Sequence, residues 1–210
     1  RKAISDFIIT YKIYVLQDPV LDVNKSRKLK EQNHDIKVDN YLFAAGRLTK
    51  QKNFELLIDG FNKIQKNYPK INLVIAGDGE LKKQLISKIN NLNLNNKVHL
   101  VGFKNNIFNY MKNSQGFILS SLWEEAGFVM VEAALTNLFI ISSNCPNGPT
   151  EFLSQGRHGI LFQNNKIGEL SNSLLKYTNL KNIKKHKLEI KKNTKQYTKY
   201  RHFLKLKKIL

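Results

Sequence analysis

Short apolar runs alternate with amphipathic stretches along most of this chain. YLFAAG (41–46), INLVIAG (71–77), KVHLVGF (97–103), GFILSS (116–121), LFIISS (138–143) and GILF (159–162) are each nearly continuous in apolar residues and predict buried strands. Between them the apolar positions recur at helical spacing. Phe54, Leu57, Ile58, Phe61 and Ile64 form one such set, with Asn53 placed to cap it and Pro69 to end it. Leu81, Leu85, Ile89 and Leu92 form the next, followed by a short helix near Ile107 to Met111, a helix carrying Val131, Ala134 and Leu135, and one carrying Ile167, Leu170, Leu174 and Leu175. Strands apolar throughout, alternating with helices, imply a parallel sheet covered on both faces with right-handed crossovers. The expectation is a doubly wound, Rossmann-like α/β domain over residues 41–178. The polar stretch NKSRKLKEQNHDIKVD before it reads as a linker, and KIYVLQDPVLD (12–22) as a strand running into a proline turn. Residues 1–40 therefore lie outside the domain, and the tail 179–210 reads as one or two basic helices.

In an open parallel sheet, ligands bind beyond the carboxyl ends of the strands. The unusual residues gather at those ends: Gly46, Arg47 and Lys52 after the first strand; Gly77, Asp78 and Gly79 after the second; Gly102 after the third; Ser120, Ser121, Glu124 and Gly127 after the fourth; Ser143, Asn144 and Gly148 after the fifth. Arg47 and Lys52 flank a loop leading to a helix N-terminus. Two cations beside unpaired backbone amides suit a diphosphate, although in so basic a chain they are also what two solvated surface cations look like. Gly127 precedes a further helix start, where free amides offer a second positive end. Glu124 and Glu132 stand in SLWEEAGFVMVEAA, one before that start and one within the helix, at most ~12 Å apart at the helical rise. A carboxylate accepts two hydrogen bonds and so suits a vicinal diol; the plain alternative is a helix-stabilising Glu132 and a solvated Glu124. GDGE (77–80) lacks a full glycine-rich phosphate fingerprint and reads at least as well as a tight turn into a helix. His99 reads as a packed or edge-strand histidine, and Cys145 as structural. No spacing argues for a metal.

Composition narrows the partners. Thirty-five Lys and Arg against sixteen Asp and Glu give a formal net charge of +19, which favours an anionic partner: a phosphorylated ligand, an anionic membrane surface or a nucleic acid. Lys and Asn are abundant throughout, and no aromatic RNA-binding motif, zinc spacing or helix-turn-helix pattern is present, so no nucleic-acid partner is expected. A single cysteine excludes a disulfide framework and fits a reducing compartment. The opening residues show no secretory pattern, and no apolar run approaches the roughly 20 residues of a membrane helix. The expected location is cytoplasmic, at most peripheral to the inner face of a membrane.

The ordered set AAGRLTKQKN, LVIAGDGE, VHLVGF, SSLWEEAGFVMVEAA and HGILF resembles the C-terminal half of a GT-B glycosyltransferase of the large retaining family GT4, also called glycosyl transferases group 1. Glu124 and Glu132 match that family's E-x7-E pair. KIYVLQDPVLD resembles its interdomain strand and turn, with Gln17 and Asp18 where Tyr-Asn is common. The resemblance implies that Arg47 and Lys52 hold the donor diphosphate and neutralise it as it leaves; that Glu132 grips the ribose; that Glu124, the third catalytic residue, binds hydroxyls of the transferred sugar; that Gly46 and the backbone of Gly127, Phe128 and Val129 contact sugar and phosphate; and that Gly102, Phe103 and Lys104 border the base. It implies a nucleotide-diphosphate sugar, by default a UDP-sugar, as co-substrate, no further cofactor, no metal, and a hexose or N-acetylhexosamine passed with retention to a glycan or lipid-linked acceptor. A GT-B enzyme also has an N-terminal domain of similar size, for which residues 1–40 hold only a remnant. The alternative is a nucleotide-sugar-binding module without catalysis.

Overall fold

The computed structural model describes Tyr14, residues 16–21 and residues 38–210. The linker residues 24–37 lie outside the described residues, as do Lys12, Ile13, Val15 and Asp22 of the expected N-terminal strand. The described part of that segment is not a strand. Val20 N–H donates to Asp18 O at 2.9 Å around Pro19, and only Leu21 makes a bridge, to Thr198. Pro19 has no amide to give a ladder, which favours a turn at that point.

Six strands form one sheet: β1 (Tyr41–Ala45), β2 (Asn72–Ala76), β3 (Val98–Leu100), β4 (Gly116–Leu119), β5 (Phe139–Ser143) and β6 (Ile160–Phe162). Their spatial order is β3-β2-β1-β4-β5-β6 and every pairing is parallel. The chain starts in the centre, winds outward to β3, then returns across β1 and winds outward to β6, so the order reverses between β1 and β4. That reversal opens a crevice at the carboxyl ends of these two strands. β1, β4 and β5 are buried at every position, as their unbroken apolar runs require. The two border strands are the shortest, three residues each; KVHLVGF was expected to run longer, but the ladder ends at Leu100, with Val101 N–H still donating to Ile75 O and Gly102 turning out of the extended conformation at φ 72°.

The helices are α1 (Phe54–Gln65), α2 (Lys82–Asn91), α3 (Ile107–Asn113), α4 (Phe128–Leu135), α5 (Pro149–Phe152), α6 (Ile167–Thr178), α7 (Ile183–Asn193) and α8 (Lys199–Ile209). α1 packs against α2 and α6 on one side of the sheet; α4 packs against α3 and α7 on the other. α1 buries Phe54, Leu57, Ile58, Phe61 and Ile64, the set its periodicity marks out. Asn53 does not cap it with its side chain. A 3₁₀ turn at Lys50–Lys52 precedes the helix and leaves Asn53 left-handed at φ 50°, its amide donating instead to Asn165 Oδ1. The tail forms α7, a 3₁₀ turn and α8, and α8 is tied to the segment before the domain: Lys205 Nζ donates to Gln17 Oε1 at 2.6 Å and His202 Nδ1 lies 2.9 Å from Gln17 O.

The crevice depends on two strand ends meeting without side chains. Gly46 N–H donates to Ala76 O at 3.0 Å, and a Cβ on Gly77 would lie 1.9 Å from Gly46 O. Gly77 also has φ +151°. Gly77→Ala should therefore force the ends of β1 and β2 apart, lowering stability by on the order of 3 kcal/mol, read as a fall in the urea midpoint at unchanged slope.

Candidate functional site

Two contiguous bays open at the carboxyl ends of the strands. The first, about 330 Å³, is lined by Ala45, Gly46, Arg47, Ala76, Gly77, Asp78, Phe103, Lys104, Ile107 and Val129. Its walls are mostly apolar, with Phe103 72% exposed at the rim. The second, about 220 Å³, is lined by Gly46, Arg47, Gln51, Lys52 and the run Glu124–Val129. Gly46, Arg47 and Val129 line both, so Arg47, which is exposed, stands at the junction.

The floor of the second bay is an ion pair. Lys52 Nζ lies 2.7 Å from Glu124 Oε1 and 2.9 Å from Oε2. Ser121 Oγ donates to Glu124 Oε1 as well. The pair is well shielded, the two side chains being 14% and 6% exposed, so a solvated Glu124 is ruled out. Simple valence then fixes what remains. The two oxygens of one carboxylate subtend too narrow an angle at Nζ for two N–H groups to point at them, so one forked N–H of Lys52 spans both; Oε1 accepts from Lys52 and Ser121, and Oε2 from Lys52. At least one N–H of Lys52 and a lone pair of Oε2 are left for a ligand. An anion oxygen and a hydroxyl can thus be held side by side by one buried pair.

Three buried serines set the pair in place. Ser120 Oγ donates to Lys52 O at 2.8 Å, and Ser143 Oγ donates to Ser121 O at 2.7 Å. The loop after β4 is fastened on both sides: Leu122 N–H donates to Gln51 O at 2.8 Å, Asn164 Nδ2 to Leu122 O at 2.6 Å, and Glu124 N–H to Pro146 O at 3.2 Å. Gly127 closes the loop in the left-handed region, φ 63°, where a side chain is disfavoured. α4 begins at once after it. Met130 N–H is the first to bond back, to Gly127 O at 2.9 Å, so the amides of Phe128 and Val129 belong to the unsatisfied first turn of an apolar helix whose positive end meets both bays.

Of the residues expected from sequence, Gly46, Arg47, Lys52, Glu124, Gly127, Phe128 and Val129 converge on the second bay, and Phe103 and Lys104 on the first. Gly102 lies just behind, accepting from Gly77 N–H at 2.9 Å. Glu132 is half-buried in the second turn of α4 and lines neither bay. GDGE is a tight turn: Asp78 Oδ1 accepts from Gly79 N–H at 2.9 Å, and these contacts with Lys82 hold its carboxyl below the usual range. His99 is on border strand β3, where burial and then Lys97 lower its pKa. Cys145 is buried, and that burial pushes its thiol up, away from nucleophilic use. Sequence reasoning missed Gln51, Glu125, Ala126 and Ile107. Gln51 and Ile107 carry no pattern of their own, while Glu125 and Ala126 sit inside the quoted motif and were legible from their place in it.

The glycosyl transferases group 1 family matches residues 25–197. This chain belongs to that family. An uncharacterised glycosyltransferase of Methanocaldococcus jannaschii is 44% identical over 126 residues, 60% of this chain and 31% of its own length. The Escherichia coli UDP-Gal:alpha-D-GlcNAc-diphosphoundecaprenol alpha-1,3-galactosyltransferase is 35% identical over 162 residues, 74% of this chain and 41% of its own length. The chain thus spans well under half of each of these relatives. In fold it is similar to a mutant of S. aureus TarM crystallised with fondaparinux, alpha-GlcNAc-glycerol and UDP, at TM-score 0.79 and 18% identity, covering 98% of this chain and 41% of that one. The six-stranded order and its helical layers are those of the C-terminal half of a GT-B architecture.

Lys52→Met keeps most of the stem and removes the ammonium, stranding a carboxylate beside Ser121 alone. The expected loss is about 3 kcal/mol, and the double variant Lys52→Met/Glu124→Gln should recover part of it, giving a coupling of at least about 1 kcal/mol when urea curves of the four proteins are compared.

Proposed function

We propose that this chain is the donor-binding half of a glycosyltransferase and that its two bays divide a UDP-sugar between them. The observation that carries this reading is the continuity of an apolar bay with a polar one across Arg47 and the start of α4. A planar base suits the first bay, beside Phe103, Lys104 and the Gly102 turn. The diphosphate belongs at the junction, between Arg47, the free N–H of Lys52 and the amides of Phe128 and Val129. The transferred sugar belongs in the second bay, with a hydroxyl on Glu124 Oε2. Glu132, one turn beyond the residues lining the bays, is assigned to the ribose hydroxyls. Support comes from the UDP-Gal donor named for the E. coli relative and the UDP named in the TarM structure.

Transfer with retention and without a metal is part of the proposal. The sugar–phosphate bond lengthens toward an oxocarbenium-like state, and negative charge grows on the leaving diphosphate. Arg47, Lys52 and the helix end already face that charge, so little reorganisation is needed as it develops. Glu124 fixes where the Lys52 ammonium sits while holding the sugar. The acceptor is a glycan or lipid-linked glycan, as the diphosphoundecaprenol in the E. coli relative's name suggests, and the N-terminal half of a GT-B pair supplies its main seat.

A lipid-linked acceptor brings the protein to a membrane surface. No helix among the described residues is long and apolar enough to cross one. α8 instead exposes Tyr200 at 69% and Phe203 at 60% among the exposed Lys199, Arg201, Lys207 and Lys208, a composition suited to lying on an anionic bilayer.

Ligand-observed NMR should show UDP and UDP-hexoses binding, weakened at least about ten-fold by Lys52→Ala or by Glu132→Ala; if neither substitution matters, the assignment of the site is wrong. In the full-length enzyme Glu124→Gln should lower kcat by on the order of 10²-fold. Co-sedimentation should show binding to vesicles containing anionic phospholipid and not to neutral ones, with Lys207→Gln/Lys208→Gln weakening it about ten-fold.

A further inference from the structure

Trp123 is the one tryptophan of the chain. It stands between Leu122 and Glu124 on the pinned loop after β4, and its side chain is left out of the core at 48% exposure. An indole carries one of the largest apolar surfaces of any side chain, and leaving it half in water forgoes the stabilisation that burial would bring. The local backbone is not loose enough to explain this as disorder of a surface loop. Besides the bonds at Leu122 and Glu124, Gln51 Nε2 donates to Trp123 O at 3.0 Å. The ring is therefore displayed from a main chain held on both sides, the arrangement that lowers the ordering cost of a contact.

Its surroundings have a mixed chemistry. Glu125, exposed, lines the polar bay beside it, and Phe128, 38% exposed, lines the same bay. A pyranose ring presents an apolar C–H face and an edge of hydroxyls. An aromatic plane takes the first and a carboxylate takes the second. Trp123 itself is not part of the bay's lining, so a ring stacked on it lies beyond the one seated over Glu124.

We infer that Trp123, with Glu125, forms a stacking subsite for a pyranose ring of the glycan acceptor, adjacent to the sugar being transferred. This rests on the reading of the bays as a nucleotide-sugar site. The indole holds the acceptor ring against the mouth of the second bay, and the Glu125 carboxylate accepts from its hydroxyl edge.

Because the chain has a single tryptophan, its emission reports on this position alone. The experiment titrates the protein first with UDP, then, with UDP saturating, with the methyl α-glycosides of glucose, galactose and N-acetylglucosamine at millimolar concentration. UDP binding is followed in parallel by ligand-observed NMR. At least one glycoside should blue-shift the emission and cut acrylamide quenching about two-fold, since one of the two ring faces is covered. Trp123→Ala should abolish saturation transfer to the glycoside and leave UDP binding unchanged, while Trp123→Tyr should restore part of it. In the full-length enzyme Trp123→Ala should raise the acceptor KM about ten-fold with the donor KM unchanged. Emission untouched by every glycoside while UDP still binds overturns the subsite and leaves the nucleotide site standing. A response to UDP-sugars equal to that of the glycosides assigns the ring to the donor and overturns it too. Emission of the full-length protein already blue-shifted and shielded before any sugar is added means that protein, not glycan, covers the ring. Failure of UDP itself to bind brings down both readings.

Discussion

A lysine and a glutamate 72 residues apart hold the site together. Lys52 comes from the 3₁₀ turn after β1 and Glu124 from the loop after β4, the two strands between which the sheet reverses direction. A shielded charge pair is costly to form and costlier to leave half made. Its formation therefore fixes where these two loops stand relative to each other. The serines secure the arrangement from below: Ser120 reaches the backbone of Lys52, and Ser143 on β5 reaches the backbone of Ser121. Three neighbouring strand ends are thus coupled into one floor.

From that floor the division of the cleft follows. With Lys52 drawn inward to Glu124, Arg47 stands at the opening, where it borders both bays. The positive end of α4 borders the same two bays at Val129. The polar bay keeps donor capacity on Lys52 and acceptor capacity on Glu124 Oε2 side by side.

Much of the fold was legible in the sequence because a parallel sheet buries its strands on both faces. Runs such as LVIA and FIIS leave few alternatives, and glycine and charge at five successive strand ends marked the rim. Other features were not legible, each for a physical reason. Asn53 looks like a cap from its type, but the 3₁₀ turn before it sets a backbone conformation from which its side chain points elsewhere. The end of β3 is decided by the backbone, which leaves the extended conformation at Gly102, φ 72°, although Val101 and Gly102 still bond to Ile75 and Gly77. The Lys52–Glu124 contact has no local signal, since it joins side chains brought together only when β4 inserts beside β1. Glu132 was visible as a motif position, yet its distance from the bays depends on how α4 is set on the sheet.

The sheet's two borders carry a consequence of their own. β3 and β6 have three residues each, and they are the strands that close the ladder on either side. A border so brief offers too few free backbone groups to template a foreign strand, so self-association into extended ribbons is suppressed at both flanks. Among the described residues, then, resistance to edge-to-edge pairing is built into the backbone of the sheet and does not depend on surface charge.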